Sequence, residues 1–203
     1  TLCGVLDAIF EMIGTTNRYF VEFGCEDATQ CNAAYLLRSG WRGLFMDGAG
    51  RSGNPLATVQ AEFVTAENVN GLFAKYGVPE AFDLLSIDVD GNDYHIWKAI
   101  TYRPRVVVIE YTAHVGPAQA LVMPYTPDFV WNGSDYFGAS LRAMRDLGAA
   151  KGYELVYCES SGVNAFFVAR ECLAPGFEVP PIEAVYRAPN YAGQGLRHPP
   201  DPD

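Results

Sequence analysis

The sequence predicts an α/β fold, a mostly parallel sheet with helices on both faces. Three observations lead there. Short apolar runs alternate with helical patterns from residue 5 to residue 111, which is the pattern of successive βαβ units. The predicted strands, among them YFVEFG at 19–24, GLFMDG at 43–48 and RVVVIEY at 105–111, are continuous apolar runs rather than alternating ones. That is expected of a sheet covered on both faces. Two later runs, 153–158 and 164–169, are joined by a short stretch holding ESSG, which suggests a hairpin and so an antiparallel pair.

Each element has its own signal. Val5, Ile9, Met12 and Ile13 recur at helical spacing, so residues 5–13 read as a short amphipathic helix. The first strand, 19–24, closes on Gly24. Residues 32–39 read as a helix stopped by Gly40. The second strand, 43–48, ends in Asp47 and Gly48, and residues 57–64 form a third. Thr65 caps a helix to about Tyr76, with Glu67 and Asn68 in its first turn. The fourth strand, 82–88, precedes a short helix over 94–100 and the fifth strand over 105–111.

The rhythm then breaks. Residues 112–137 carry prolines at 117, 124 and 127 and aromatics at 125, 129, 131, 136 and 137. A loop this long inside a domain is usually functional. A helix returns over 138–151, before the hairpin. The domain is therefore read as 1–174, with 112–137 as an insertion and 175–203 as a tail. The tail holds seven of the thirteen prolines, which excludes regular helix or central strand. Its aromatics, Phe177, Tyr186 and Tyr191, suggest that it wraps the domain or a neighbour, a route to a homo-oligomer.

Composition narrows the partners. A chain of 203 residues, 49% apolar, fits one domain with a real core. A net charge of -10 repels phosphates and argues against nucleic acid. No apolar run is long enough to span a bilayer. The cysteines, at 3, 25, 31, 158 and 172, are odd in number and lack paired short spacing, which argues against a disulfide framework and a zinc site. Reduced thiols in a cytoplasmic enzyme are expected, with Cys25 and Cys31 as packing residues.

In an open parallel sheet, ligands bind at the carboxyl ends of the strands. Here those ends carry acids. The first, VEFGCEDATQCN at 21–32, is a single-glycine loop rather than GxGxxG, so a dinucleotide pyrophosphate site is poorly supported. An acidic loop also repels a pyrophosphate. Asp47 follows about twenty residues later, where an acid accepts hydrogen bonds from ribose hydroxyls, or else caps the next turn. A nucleoside with positive charge and no phosphate suits these features, and S-adenosylmethionine is one.

YFVEFGCEDATQCN, GLFMDG, LLSIDVDGNDYHIW, VVVIEY, YFGASL and GVNAFFVAR together resemble a short branch of the FkbM-type S-adenosylmethionine-dependent methyltransferases, over roughly residues 18–170. The resemblance implies a Rossmann-like class I methyltransferase fold, seven strands with the last antiparallel. It also implies transfer of a methyl group, most often to oxygen, on a sugar or secondary metabolite. By position, Glu22, Gly24 and Asp27 would lie at the methionine part of the cofactor and Asp47 at the ribose. Glu62, or its neighbour Phe63, would lie near the adenine edge, and Asp88 near the sulfonium. One departure is Ala28, where the family commonly has a glycine. N-methylation, another use of the same cofactor and a non-catalytic binding module are the alternatives.

LLSIDVDGNDYHIW, at 84–97, gathers Asp88, Asp90 and Asp93. A calcium loop of the EF-hand type fails on spacing, because a glycine is needed sixth and a glutamate twelfth. Asp88 ends a buried strand. Asp90-Gly91-Asn92 is turn chemistry, and Asp93 suits the first turn of the next helix, with Asn92 a competing cap. A hydroxyl acceptor must lose its proton, to a base or with the help of a metal. Asp88, Glu110 and His114 are the catalytic candidates, and Asp88, Asp90 and Glu110 with water would suit magnesium. In the insertion, Tyr125, Trp131, Asn132 and Tyr136, with Phe129 and Phe137, mix apolar faces with polar tips, as a small-molecule acceptor requires.

Overall fold

The computed structural model describes residues 2–190 apart from 30, 132 and 135. Helix α1 (Leu2–Ile13) leads into β1 (Tyr19–Phe23), a 3-10 turn (Ala34–Ser39), β2 (Arg42–Asp47) and β3 (Val59–Ala61). Then come α2 (Val69–Lys75), β4 (Ala81–Ile87), α3 (Asp93–Ala99) and β5 (Arg103–Glu110). After the insertion follow α4 (Leu141–Ala150), the hairpin β6 (Tyr153–Cys158) and β7 (Asn164–Ala169), and α5 (Ile182–Val185).

All seven strands form one sheet in the order β3-β2-β1-β4-β5-β7-β6. The first five are parallel, and β7 runs antiparallel to both β5 and β6. Six strands thus share one direction and β7 alone reverses, the Rossmann-like class I methyltransferase fold. Strand order switches direction between β1 and β4, which opens the crevice that such sheets use for ligands.

Alternation along the strands builds two cores. Val21, Phe23, Leu85, Ile87, Val107 and Ile109 pack on one face with α2, α3 and α4. Phe20, Leu84, Val106, Val108, Phe166 and Val168 pack on the other, with Leu6, Ile9 and Phe10 of α1. Because side chains alternate with period two, Glu22, Ser86, Glu110 and Asn164 continue that second face at its carboxyl end.

Four sequence expectations change. The helix expected over 32–39 is a 3-10 turn over Ala34–Ser39, and the amides of Asn32 and Ala33 just before it are taken by the Glu22 carboxylate. The third strand shrinks to an edge strand paired only with β2. Helix α2 starts at Val69 rather than Thr65. Thr65 and Asn68 bond each other, side chain to amide in both directions, and the Val69 amide donates to the Thr65 carbonyl, so Thr65 caps the turn that leads directly into the helix. The tail does form helix: α5 follows Pro181, and proline is tolerated at a helix start. Its Ile182 and Val185 are buried in the core. Tyr186 Oη donates to the Ala113 carbonyl at 2.7 Å, and Tyr111 Oη to that of Arg187 at 2.8 Å. No helix among the described residues is long and apolar enough to cross a membrane.

Two constraints hold the sheet together. Asp83 of β4 is fully buried and accepts from the amides of Thr16, Asn17 and Arg18, from Thr16 Oγ1, and from Arg105 Nη1 at 3.0 Å. Arg105 also donates to the Ile13 and Gly14 carbonyls, closing the end of α1. Gly24, just past β1, has φ 72, and a Cβ there would lie 1.4 Å from the Asp88 carbonyl oxygen. Only glycine lets the ends of β1 and β4 come this close.

Burial alone pushes the Asp83 carboxyl up, but Arg105 and the Thr16 and Arg18 donors outweigh it and hold the group below its ordinary value. A depressed carboxyl stabilises the fold above its unfolded value and loses that contribution as pH falls through the folded one. Asp83→Asn is therefore expected to cost about 3 kcal/mol at pH 7 in urea unfolding. The gap to wild type should narrow only below about pH 4. A second comparison isolates Gly24. Gly24→Ala is expected to cost more than about 3 kcal/mol. Gly71→Ala, in α2 with nothing within 4 Å of the added Cβ, should instead add about 1 kcal/mol, both read as shifts in Tm.

Candidate functional site

A cavity of about 530 Å³ opens at the carboxyl ends of β1, β2, β4 and β5, within the usual range for small-molecule sites. Seven carboxylates line it: Glu22, Glu26, Asp47, Glu62, Asp88, Asp90 and Glu110. Among the described lining residues there is no lysine or arginine. Phe63, Phe129, Val130, Trp131 and Phe137 supply apolar wall.

The β1 end is built around Glu22. Its Oε1 accepts from the Asn32 amide at 2.7 Å and from Ser86 Oγ at 3.1 Å, and its Oε2 from the Ala33 amide at 2.8 Å. Burial raises this carboxyl, and the amides offset part of the rise. Glu22 therefore fastens the first loop to the sheet from the cavity floor. Gly24 lines the cavity too, and its lack of a side chain is required by Asp88. In the loop, Glu26 and Ala28 adopt left-handed φ of 49 and 61. Ala28 thus stands, buried, in a conformation that favours glycine. Asp27 is not among the lining residues. Its Oδ1 accepts from the amide and hydroxyl of Thr29, which with the hydroxyl bond foremost holds the carboxyl below its ordinary range. Glu26, which carries no distinguishing sequence signal, takes the place in the lining. Nothing in the pattern CEDA tells which of its two acids turns inward.

Asp47 ends β2 and both closes a turn and lines the cavity. Its Oδ1 accepts from the Ala49 amide at 2.8 Å, closing the next turn, and its Oδ2 from the Glu26 amide at 3.0 Å. Half-buried and held by two amides, it presents a fixed carboxylate to the cavity. Glu62 lies in the lining, but its Oε1 accepts from Lys75 Nζ and from Tyr76 Oη, and these bonds, Lys75 first, lower its pKa. Phe63 beside it is exposed on the cavity wall.

The three acids after β4 have separate environments. Asp93 is buried, and its oxygens accept from the amides of Val89 and Gly91, both at 2.9 Å. Burial raises its pKa to about 6 against the pull of those amides. It folds back to hold the turn rather than facing the cavity. Asp90 is exposed at φ 57, and Asp88 is partly buried at the strand end. Oxygens of Asp88, Asp90 and Glu110 all lie within 4.8 Å of one another. Burial first, then the neighbouring carboxylates, pushes the Asp88 and Glu110 carboxyls well above their ordinary values.

The insertion is fastened to this same turn. Asn92 Nδ2 donates to the Thr126 carbonyl at 2.7 Å, and His95 Nε2 lies 2.8 Å from the Met123 carbonyl. The Phe129 ring covers Gly91, where a Cβ would come within 2.6 Å of it. Trp131 lines the cavity, with Nε1 donating to the Ser134 carbonyl at 2.8 Å. Tyr125 and Tyr136 do not line it. The Tyr125 hydroxyl donates to Glu67 and accepts from the Ala66 amide, and Tyr136 is exposed. His114 is exposed on the loop after β5 and is not among the lining residues. Asn132 lies outside the described residues.

No protein-family model matches the chain, and no curated protein matches it. Among solved structures it is similar to the N-terminal domain of EvdMO1 with SAH bound, at 15% identity and a TM-score of 0.47, covering 84% of this chain and 81% of that one. It is similar also to the same domain in the presence of SAH and D-fucose, at 15% identity and a TM-score of 0.47, covering 83% and 82%.

Proposed function

We propose that the chain is an S-adenosylmethionine-dependent methyltransferase of the FkbM type that methylates a hydroxyl of a small molecule, a sugar or secondary metabolite. The observation that carries this reading is the charge of the cavity. At the switch point of a class I methyltransferase sheet, seven carboxylates and no lysine or arginine among the described lining residues disfavour a phosphate-bearing cofactor. They favour one with a sulfonium and an ammonium. The cofactor's own carboxylate then falls to backbone amides of the first loop.

In this reading Asp47 accepts from the ribose hydroxyls, Phe63 packs against the adenine, and Asp88 faces the sulfonium. The cofactor supplies the methyl group, and the protein supplies alignment and the removal of a proton. Asp88 and Glu110 are the carboxylates of the floor suited to take that proton. Phe129, Trp131 and Phe137 of the insertion exclude water and receive the acceptor. N-methylation of an amine is the second reading, favoured by the same surplus of negative charge, which attracts an ammonium.

Calorimetry with S-adenosylmethionine, S-adenosylhomocysteine and NAD tests the cofactor. The first two should bind, and NAD should not; binding of NAD alone would sink the reading. Asp47→Asn should weaken S-adenosylhomocysteine about tenfold, the worth of one charge-assisted hydrogen bond, with a much smaller change in Tm. Mass spectrometry of products from sugar and amine acceptors separates O- from N-methylation.

A further inference from the structure

One wall of the cavity is unlike its floor. The floor carries carboxylates from the strand ends, while the insertion supplies Phe129, Val130, Trp131 and Phe137. Phe129, Val130 and Phe137 have no polar side-chain atom. The single donor of Trp131, its Nε1, is already given to the Ser134 carbonyl at 2.8 Å. Hydroxyl groups held against this wall would exchange water for carbon, which costs free energy at each group.

The same wall is open to water. Of the exposed large apolar side chains, Phe63, Val130 and Trp131 line the cavity, and Val130 is 76% exposed. The cofactor reading gives Phe63 to the adenine and assigns nothing to Val130. A single exposed apolar residue is ordinary, but a group of them along one cavity marks a surface for a ligand. The wall is fixed at both ends. The Phe129 amide donates at 3.0 Å to the Thr126 carbonyl, which also accepts from Asn92, and the Phe129 ring lies against Gly91. At the other end Phe137 is buried, and its carbonyl accepts from Thr112 Oγ1. Its ring meets that of Trp131 edge to face, with centroids 6.4 Å apart.

We propose that the methyl acceptor is an amphiphile. Its hydroxyl-bearing end reaches the carboxylates of the floor, and an uncharged apolar body, alkyl or aromatic, lies along Phe129, Val130 and Trp131. Such a body meets apolar atoms with no polar group of its own to desolvate. A bare sugar, with hydroxyls on every side, suits the floor but not the wall. Val130 is then a specificity-determining residue, which selects the body and takes no part in the transfer. This narrows the acceptor class and rests on the methyltransferase reading; the apolar surface itself rests only on the geometry of the wall.

The test is calorimetry of the full chain with methyl, butyl and hexyl β-D-glucoside, with and without S-adenosylhomocysteine. The three probes keep one sugar and lengthen one apolar body. The hexyl compound should bind tightest and the methyl compound weakest, each methylene adding about twofold to fourfold. Val130→Asn should flatten that dependence and leave Tm and S-adenosylhomocysteine affinity unchanged. Leu56→Ser, also exposed but outside the lining, should leave the dependence intact. No binding of the hexyl compound, affinity independent of chain length, a dependence that survives Val130→Asn, or an equal loss in Leu56→Ser overturns the proposal. Cofactor binding in the same samples separates the two ideas. S-adenosylhomocysteine bound without a chain-length effect removes this inference and leaves the function standing. A chain-length effect without S-adenosylhomocysteine bound removes the methyltransferase reading and leaves the apolar site.

Discussion

The site depends on one close approach. The ends of β1 and β4 are so near that the Asp88 carbonyl occupies the space where a side chain at position 24 would begin. The Asp88 amide also donates to the Phe23 carbonyl at 3.2 Å, extending the strand pairing by one step. This contact sets where the first loop leaves the sheet and where the acidic turn after β4 starts. Gly24 is thus a packing residue first. Its place in the cavity lining follows from the contact.

From that junction the chemistry follows by alternation. Period two puts Glu22, Ser86, Glu110 and Asn164 on one face, beyond the apolar residues that α1 covers. Each acid then meets a different environment. Glu22 and Asp93 are occupied by backbone amides and hold loops in place. Asp47 is held by amides while lining the cavity. Asp88, Asp90 and Glu110 converge instead. The same residue type therefore serves as staple, loop anchor and site group, and the neighbouring donors decide which.

Much of this fold is legible in the residue pattern. The hairpin strands 153–158 and 164–169 have the limits that the pattern predicts, because turn and apolar signals bound them tightly. The ends of β2 and β4 are legible because an acid or glycine follows each apolar run. The bond that anchors the loop before the 3-10 turn is not, because it reaches from Asn32 to Glu22, ten residues away and on β1. The short helix in the tail is hidden by the prolines before it, although one of them occupies the helix cap.

Local patterns suffice for the α/β class, the acidic strand ends and the single-glycine form of the first loop. Apolar runs, glycines and the sign of charge carry all three, and each is read from neighbours along the chain. Which acids face the cavity is settled by tertiary contacts instead. Asp27 and Glu26 are neighbours in sequence, yet only Glu26 lines it. Tyr125 and Trp131 belong to one insertion, yet Tyr125 is drawn to Glu67 while Trp131 lines the wall. The convergence of Asp88 with Glu110 likewise needs two strands that are distant in sequence and adjacent in the sheet. A loop's side-chain directions have no fixed period, so these outcomes depend on partners that only folding brings near.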